Sequence, residues 1–129
     1  MENETRKKIG SFTDLIAWRE GHKLVLLVYK IVKDFPNKEN FVLTAQMCRC
    51  AISITSNIAE GFGRKTYKEK LVFYFHSRGS LVELQNQILI ARDVGYLSKN
   101  DFNEIANQCI LVHKLLNGLI KQTTNKAKC

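Results

Sequence analysis

Apolar residues recur every three or four positions along almost the whole chain, and strict alternation never persists long enough for a strand. The pattern predicts an all-α protein. Its breaks fall at Phe35-Pro36, at Gly61-Phe62-Gly63 and at Gly95, which divides it into four helices joined by short turns. The first is expected to start at Thr13 or Asp14, whose side-chain oxygens suit an N-cap, and to stop at Phe35, because the residue before proline is disfavoured in a helix. Ala17, Gly21, Leu24, Val28, Ile31 and Phe35 form its seam. The second is expected from about Phe41 to Phe62, closed by glycines able to turn left-handed. Thr66-Tyr67-Lys68-Glu69 has the form of a capping box opening a third helix that runs to Gly95. Ser98 caps the fourth, with Phe102, Ile105, Cys109, Val112, Leu116 and Leu119 as its seam and a fraying tail from Thr123. Such helices pack most simply as an antiparallel up-down-up-down four-helix bundle. The expected unit is one domain over residues 1–129, with flexible ends at 1–12 and 123–129.

The second helix carries more than a bundle requires. At about 100° per residue, Gln46, Arg49, Ser53, Asn57, Glu60 and Arg64 fall on one polar stripe, and Leu43, Met47, Ile54 and Ile58 on a core face. Ala45, Cys48, Ile52, Thr55 and Ala59 continue small and apolar around the far side. A monomer's surface helix needs an apolar arc of little more than ~100°, and this one is roughly twice that. The excess predicts self-association through Ala45, Cys48, Ile52, Thr55 and Ala59; the alternative is that the third helix and the loops cover it. The polar stripe reads either as solvated surface or as a partly buried network that reaches Ser80 and Glu83 and fixes register.

Charge adds a candidate partner. The chain holds 20 Lys+Arg against 12 Asp+Glu, a net +8 that favours polyanions. Half of it lies between residues 41 and 80, where Arg49, Arg64, Lys65, Lys68, Lys70 and Arg78 face only Glu60 and Glu69. A helix start beside Arg64, Lys65 and Lys68 also offers backbone N–H donors to a phosphate. Phe73, Tyr74 and Phe75 follow as stacking surfaces for bases, although consecutive aromatics point around a helix and at least one belongs to the core. The plain alternative is a solvated basic corner that aids solubility.

Enzyme chemistry finds little footing. His22, His76 and His113 sit on three different helices without the paired spacing of a zinc site, and no phosphate loop, nucleophile elbow or dinucleotide fingerprint occurs. A hidden site would need Glu60, Glu83 and a histidine to converge in a closed pocket. No metal or cofactor is expected. Cys48 and Cys50 are roughly 200° apart on a helix, and with Cys109 and Cys129 they suggest no disulfide framework. The absence of a secretory segment and of a long apolar run makes the cytoplasm the expected address, away from membranes.

Several segments are recognisable together: Phe12 to Trp18, Tyr29, Phe35-Pro36, Leu43 to Gln46, Ser53-Ile54-Thr55-Ser56-Asn57-Ile58-Ala59-Glu60-Gly61, Gly79 to Leu84, and Gly95 to Leu97. With them the chain resembles the bacterial four-helix bundle proteins encoded in intervening sequences of 23S ribosomal RNA genes. The resemblance runs from Phe12 to Leu119 and rests above all on Ser53, Asn57, Glu60, Gly61, Ser80 and Glu83. It implies an antiparallel bundle that assembles into a ring, a homopentamer, with no established reaction. A more distant similarity, to accessory proteins of diversity-generating retroelements, implies basic rings that hold nucleic acid and a reverse transcriptase. Two positions depart from the family pattern. Cys48 stands where a second basic residue is common, which weakens the second helix as an RNA-reading surface. Thr55 stands where proline is common, which restores an N–H and should straighten the helix.

Together these readings predict a non-enzymatic homo-oligomer that binds structured RNA or DNA through phosphate contacts from Arg49, Arg64, Lys65, Lys68, Lys70 and Arg78. The competing expectation is an adaptor ring for a protein partner, with its charge serving solubility.

Overall fold

The computed structural model describes residues 8–128. A short 3-10 turn, Phe12–Asp14, precedes four helices: α1 Ile16–Val32, α2 Leu43–Phe62, α3 Tyr67–Asp93 and α4 Lys99–Ala127, with a second 3-10 turn, Asn37–Glu39, before α2. No strand occurs among the described residues. Each helix packs against its neighbours around a square, α4 closing back on α1. Cross-helix partners run in opposite directions: Cys50 meets Glu83 and Ser53 meets Ser80 between α2 and α3. Arg92 lies over Phe102 and Arg78 reaches Asn117 between α3 and α4. Consecutive helices are therefore antiparallel, as connections too short to run back along a helix require.

The core takes in most of the seams predicted for α1, α2 and α4, together with a row of α3 for which no seam was predicted. Leu24, Val28, Met47, Ile54, Ile58, Leu81, Leu84, Ile105, Val112 and Leu116 are all fully buried. Each large aliphatic side chain taken from water contributes about 1.5–3 kcal/mol. Thr66 and Glu69 form the expected capping box, and Ser98 accepts from the Asp101 N–H. Left-handed closure is used once among the described residues, at Gly95 (φ +87°). There the Tyr96 N–H reaches the Ala91 carbonyl and the Gly95 N–H that of Arg92, which ends α3 in a Schellman turn.

Several boundaries differ from expectation. Ser11, rather than Thr13 or Asp14, caps the first turn, and Leu15 is extended before α1 begins at Ile16. The other end of α1 stops at Val32, because the Asp34 and Phe35 N–H groups tighten onto the carbonyls three residues back. Phe41, expected in the second helix, lies outside it and is 94% exposed. The glycines ending α2 are not left-handed: Gly63 has φ −79°. Gly61 serves close packing instead, since an added Cβ would stand 2.7 Å from Tyr74 Cε1 and 3.0 Å from Phe73 Cβ.

The tail from Thr123 is helical to Ala127. Thr123 is buried and its hydroxyl donates to the Leu119 carbonyl, so the segment set aside as fraying completes α4. Of the ends expected to be flexible, residues 1–7 and 129 lie outside the described residues.

The far side of α2 is covered only in part within the protomer. Thr55 is buried, with its methyl group against Gly21 of α1, where an added Cβ would be 3.1 Å away. Cys48 packs partly on the core, Ala45 and Ala59 are half-buried, and Ile52 alone of the five is exposed. Gly21 lets α1 approach at Thr55, while Ala45, Cys48, Ile52 and Ala59 keep part of their surface open. The uncovered apolar row is on α3. Val72, Phe75, Val82 and Leu89 are each about half exposed, and with Gly79 and Asn86 they step by three and four. This row lies two positions from the buried row Tyr74, Ser77, Leu81, Leu84, Ile88 and Ala91, hence about 200° around the helix.

Candidate nucleic-acid interface

Polar side chains stitch α2 to α3 along their boundary. Ser53 Oγ and Ser80 Oγ are 2.8 Å apart, and Asn57 Nδ2 donates to the Ser53 carbonyl and hydroxyl. Ser77, fully buried, donates to the Ile54 carbonyl at 2.7 Å. Glu83 accepts from the Cys50 thiol at 2.8 Å. Burial pushes that thiol up to about 11, and the adjacent carboxylate adds to the effect by opposing a second negative charge. Cys50 is thus held neutral as a donor. Ser53, Asn57, Ser80 and Glu83 serve helix pairing here, whereas Gln46, Arg49, Glu60 and Arg64 of the same stripe face solvent.

The basic residues divide by position. Arg64, Lys65, Lys68 and Lys70 surround the turn between α2 and α3. Arg64 is paired with Glu60 at 3.1 Å and lies over the Phe73 ring at 4.6 Å. An exposed i,i+4 pair of this kind adds only ~0.3–0.5 kcal/mol, so the guanidinium remains open to a better anion. Lys70 donates to the Phe62 carbonyl, a cation at the negative end of α2, and stands 5.3 Å from the Phe62 ring centroid. Lys65 and Lys68 are exposed. Arg49 stands apart, beside Cys50 and about 20 Å along α2 from its end at ~1.5 Å per residue. Arg78 is on the α3–α4 flank, bonded to Asn117 and over the Phe75 ring.

Sequence reasoning missed Lys126. The last turns of α4 bring it to the same end, with Nζ 5.8 Å from the Tyr67 ring centroid and close enough to lower the Lys70 pKa, after burial, the larger cause. The signal was present in Thr123, which continues the seam through Leu116 and Ile120. The start of α3, by contrast, is a poor phosphate site. Its capping box ties up the Glu69 N–H and the Thr66 N–H, and the Glu69 carboxylate sits where the anion would go.

Among the aromatics following Lys70, Tyr74 belongs to the core, Phe75 is exposed and Phe73 carries Arg64. Tyr74, Phe62, Tyr67, Lys70, Thr123 and Lys126 line a cavity of about 270 Å³ at this end. Burial raises the Tyr74 phenol to about 12. Glu60, Glu83 and His22 stand apart from one another. Glu60 lines a surface hollow with Ser56, Ala59, Gly63 and Arg64, Glu83 faces Cys50, and His22 stacks on Trp18 at 4.8 Å. No group of three or more His, Cys, Asp or Glu able to hold a metal occurs among the described residues. No helix among them is long and apolar enough to cross a membrane.

Fold and site define a small antiparallel four-helix bundle with five cations, Arg64, Lys65, Lys68, Lys70 and Lys126, gathered at one end. The chain belongs to the 23S rRNA-intervening sequence protein family, whose model matches residues 13–118. A crystal structure from Bacteroides thetaiotaomicron VPI-5482, of a protein of unknown function from the S23 ribosomal protein family, has the same fold with a TM-score of 0.76. It is 19% identical, and the match covers 82% of this chain and 96% of that one. No curated protein matches the sequence.

Proposed function

We propose that the protein is a self-assembling, non-enzymatic bundle of the cytoplasm that binds RNA through the cationic end formed by α2, α3 and α4. The carrying observation is the convergence of Arg64, Lys65, Lys68 and Lys70 with Lys126, a residue far away in sequence, around the rings of Phe62, Tyr67 and Phe73. Phosphates binding there release counterions, which supplies the affinity without sequence preference. The family description names the 23S rRNA intervening sequence and no ligand, so the choice of RNA rests on the cationic end and its rings, with DNA as the other polyanion to test. Arg78 extends the surface along the flank, and Arg49 contributes least because it lies far from the cluster.

Self-assembly is supported by the outward row on α3, which no part of the described chain covers. Repeating the cationic end around a closed assembly multiplies its hold on one long polyanion. Binding of a structured RNA across a salt series tests the reading: tight binding at low salt that weakens steeply supports it, and no binding at low salt refutes it. The α3 row also favours a second reading, an adaptor whose apolar face takes a protein partner. Pull-down after nuclease treatment separates the two, because an RNA-bridged partner is lost and a directly bound one is kept.

A further inference from the structure

The cavity at the cationic end is built differently from the surface around it. Its walls are the rings of Phe62, Tyr67 and Tyr74, and two ammonium groups, Lys70 and Lys126, enter it from different helices. No carboxylate lines it, and neither lysine has an ion-pair partner among the described residues. Tyr74, only 2% exposed, forms the floor of the cavity. Two facing cations without a counterion repel, and the Lys126 charge acts on Lys70 across the cavity. An anionic ligand seated between the two ammonium groups removes that repulsion.

We infer that this cavity is a site for a single unpaired nucleotide, whose phosphate lies between Lys70 and Lys126 and whose base stacks on Tyr67. Tyr67 is 44% exposed at the mouth, where Lys126 lies over its ring. A phosphate draws the ammonium off the ring and frees that face for a base. Paired bases, locked within a duplex, present phosphate but no free face, so the site selects single strands, loops and ends. The inference rests on the RNA reading of this end and sharpens it: the outer lysines and Arg64 hold backbone, and the cavity takes one nucleotide.

Adenosine 5′-monophosphate, adenosine and inorganic phosphate are titrated separately against the full chain by calorimetry at low salt, beside single-stranded and duplex RNA. The monophosphate is expected to bind at least tenfold more tightly than adenosine or phosphate, and to compete with single-stranded RNA. Tyr67→Ala and Lys126→Gln are each expected to weaken it by about tenfold, and Tyr67→Phe to preserve it. Both side chains are exposed enough for the fold to tolerate the changes, which circular dichroism checks. Absent monophosphate binding, or binding indifferent to both substitutions, overturns the site even where long RNA still binds. Sensitive monophosphate binding in a chain that ignores RNA at low salt supports the cavity as a site for the free nucleotide and removes the RNA surface.

Discussion

Gly61 shows how one missing side chain holds two helices together. A methyl group there would press on Tyr74 at 2.7 Å, and Tyr74 is too deeply buried to swing away. Gly61→Ala is expected to destabilise the fold by about 1–3 kcal/mol, a cost typical of overpacking, read as a lowered Tm in thermal unfolding. An unchanged Tm would show that the ring has room the packing denies it. Titration makes a second residue-scale test. Cys50 is raised to about 11, Cys109 to about 12 and Tyr74 to about 12, all first by burial. The unfolded chain therefore releases these protons at lower pH than the folded one, and binds fewer protons across that range. Stability should hold below about pH 9, the ordinary thiol value, and fall as pH rises towards 11 and 12. Denaturant unfolding at stepped pH checks this, and Cys109→Ala should make the alkaline decline shallower.

Among the elements, α3 was the least legible. Its apolar residues fall on two opposite rows, and a pattern that is apolar on both sides carries no periodic signal to separate inside from outside. The α2 arc, in contrast, was read as wide, and of its five far-side residues the protomer itself buries Thr55. Nothing linear told that Ala17 and Gly21 would let α1 close over Thr55. Turn chemistry was legible where Thr66 and Ser98 cap, and missed before α2, where the Glu39 carboxylate accepts from the Leu43 N–H and leaves Phe41 outside the helix. The α3 row has its own consequence. Val82→Glu places a charge at a position 52% exposed in one chain, so the folded protomer should tolerate it with little loss of stability. Sedimentation should show assembly weakened at least tenfold by this change, while Ile52→Glu on α2 has a smaller effect. Equal effects, or none from Val82→Glu, would place the contact elsewhere.

At the scale of the molecule, function turns on how charge is distributed, and sequence shows only how much there is. Six basic residues between positions 41 and 80 read as one patch, yet the fold sends Arg49 about 20 Å from the α2 terminus and recruits Lys126 from the opposite end of the sequence. Distance along a chain is a poor guide to distance in an antiparallel bundle, where the end of α2 and the last turns of α4 share one face. The salt dependence of RNA binding separates the two groupings, because its slope reports the number of phosphate contacts rather than their strength. Lys65→Gln with Lys68→Gln should reduce that slope by about one to two, and Arg49→Gln should leave it nearly unchanged. A slope that responds to Arg49 as strongly as to the lysine pair would mean that RNA lies along the α2 face, and the cationic end would then be a bystander.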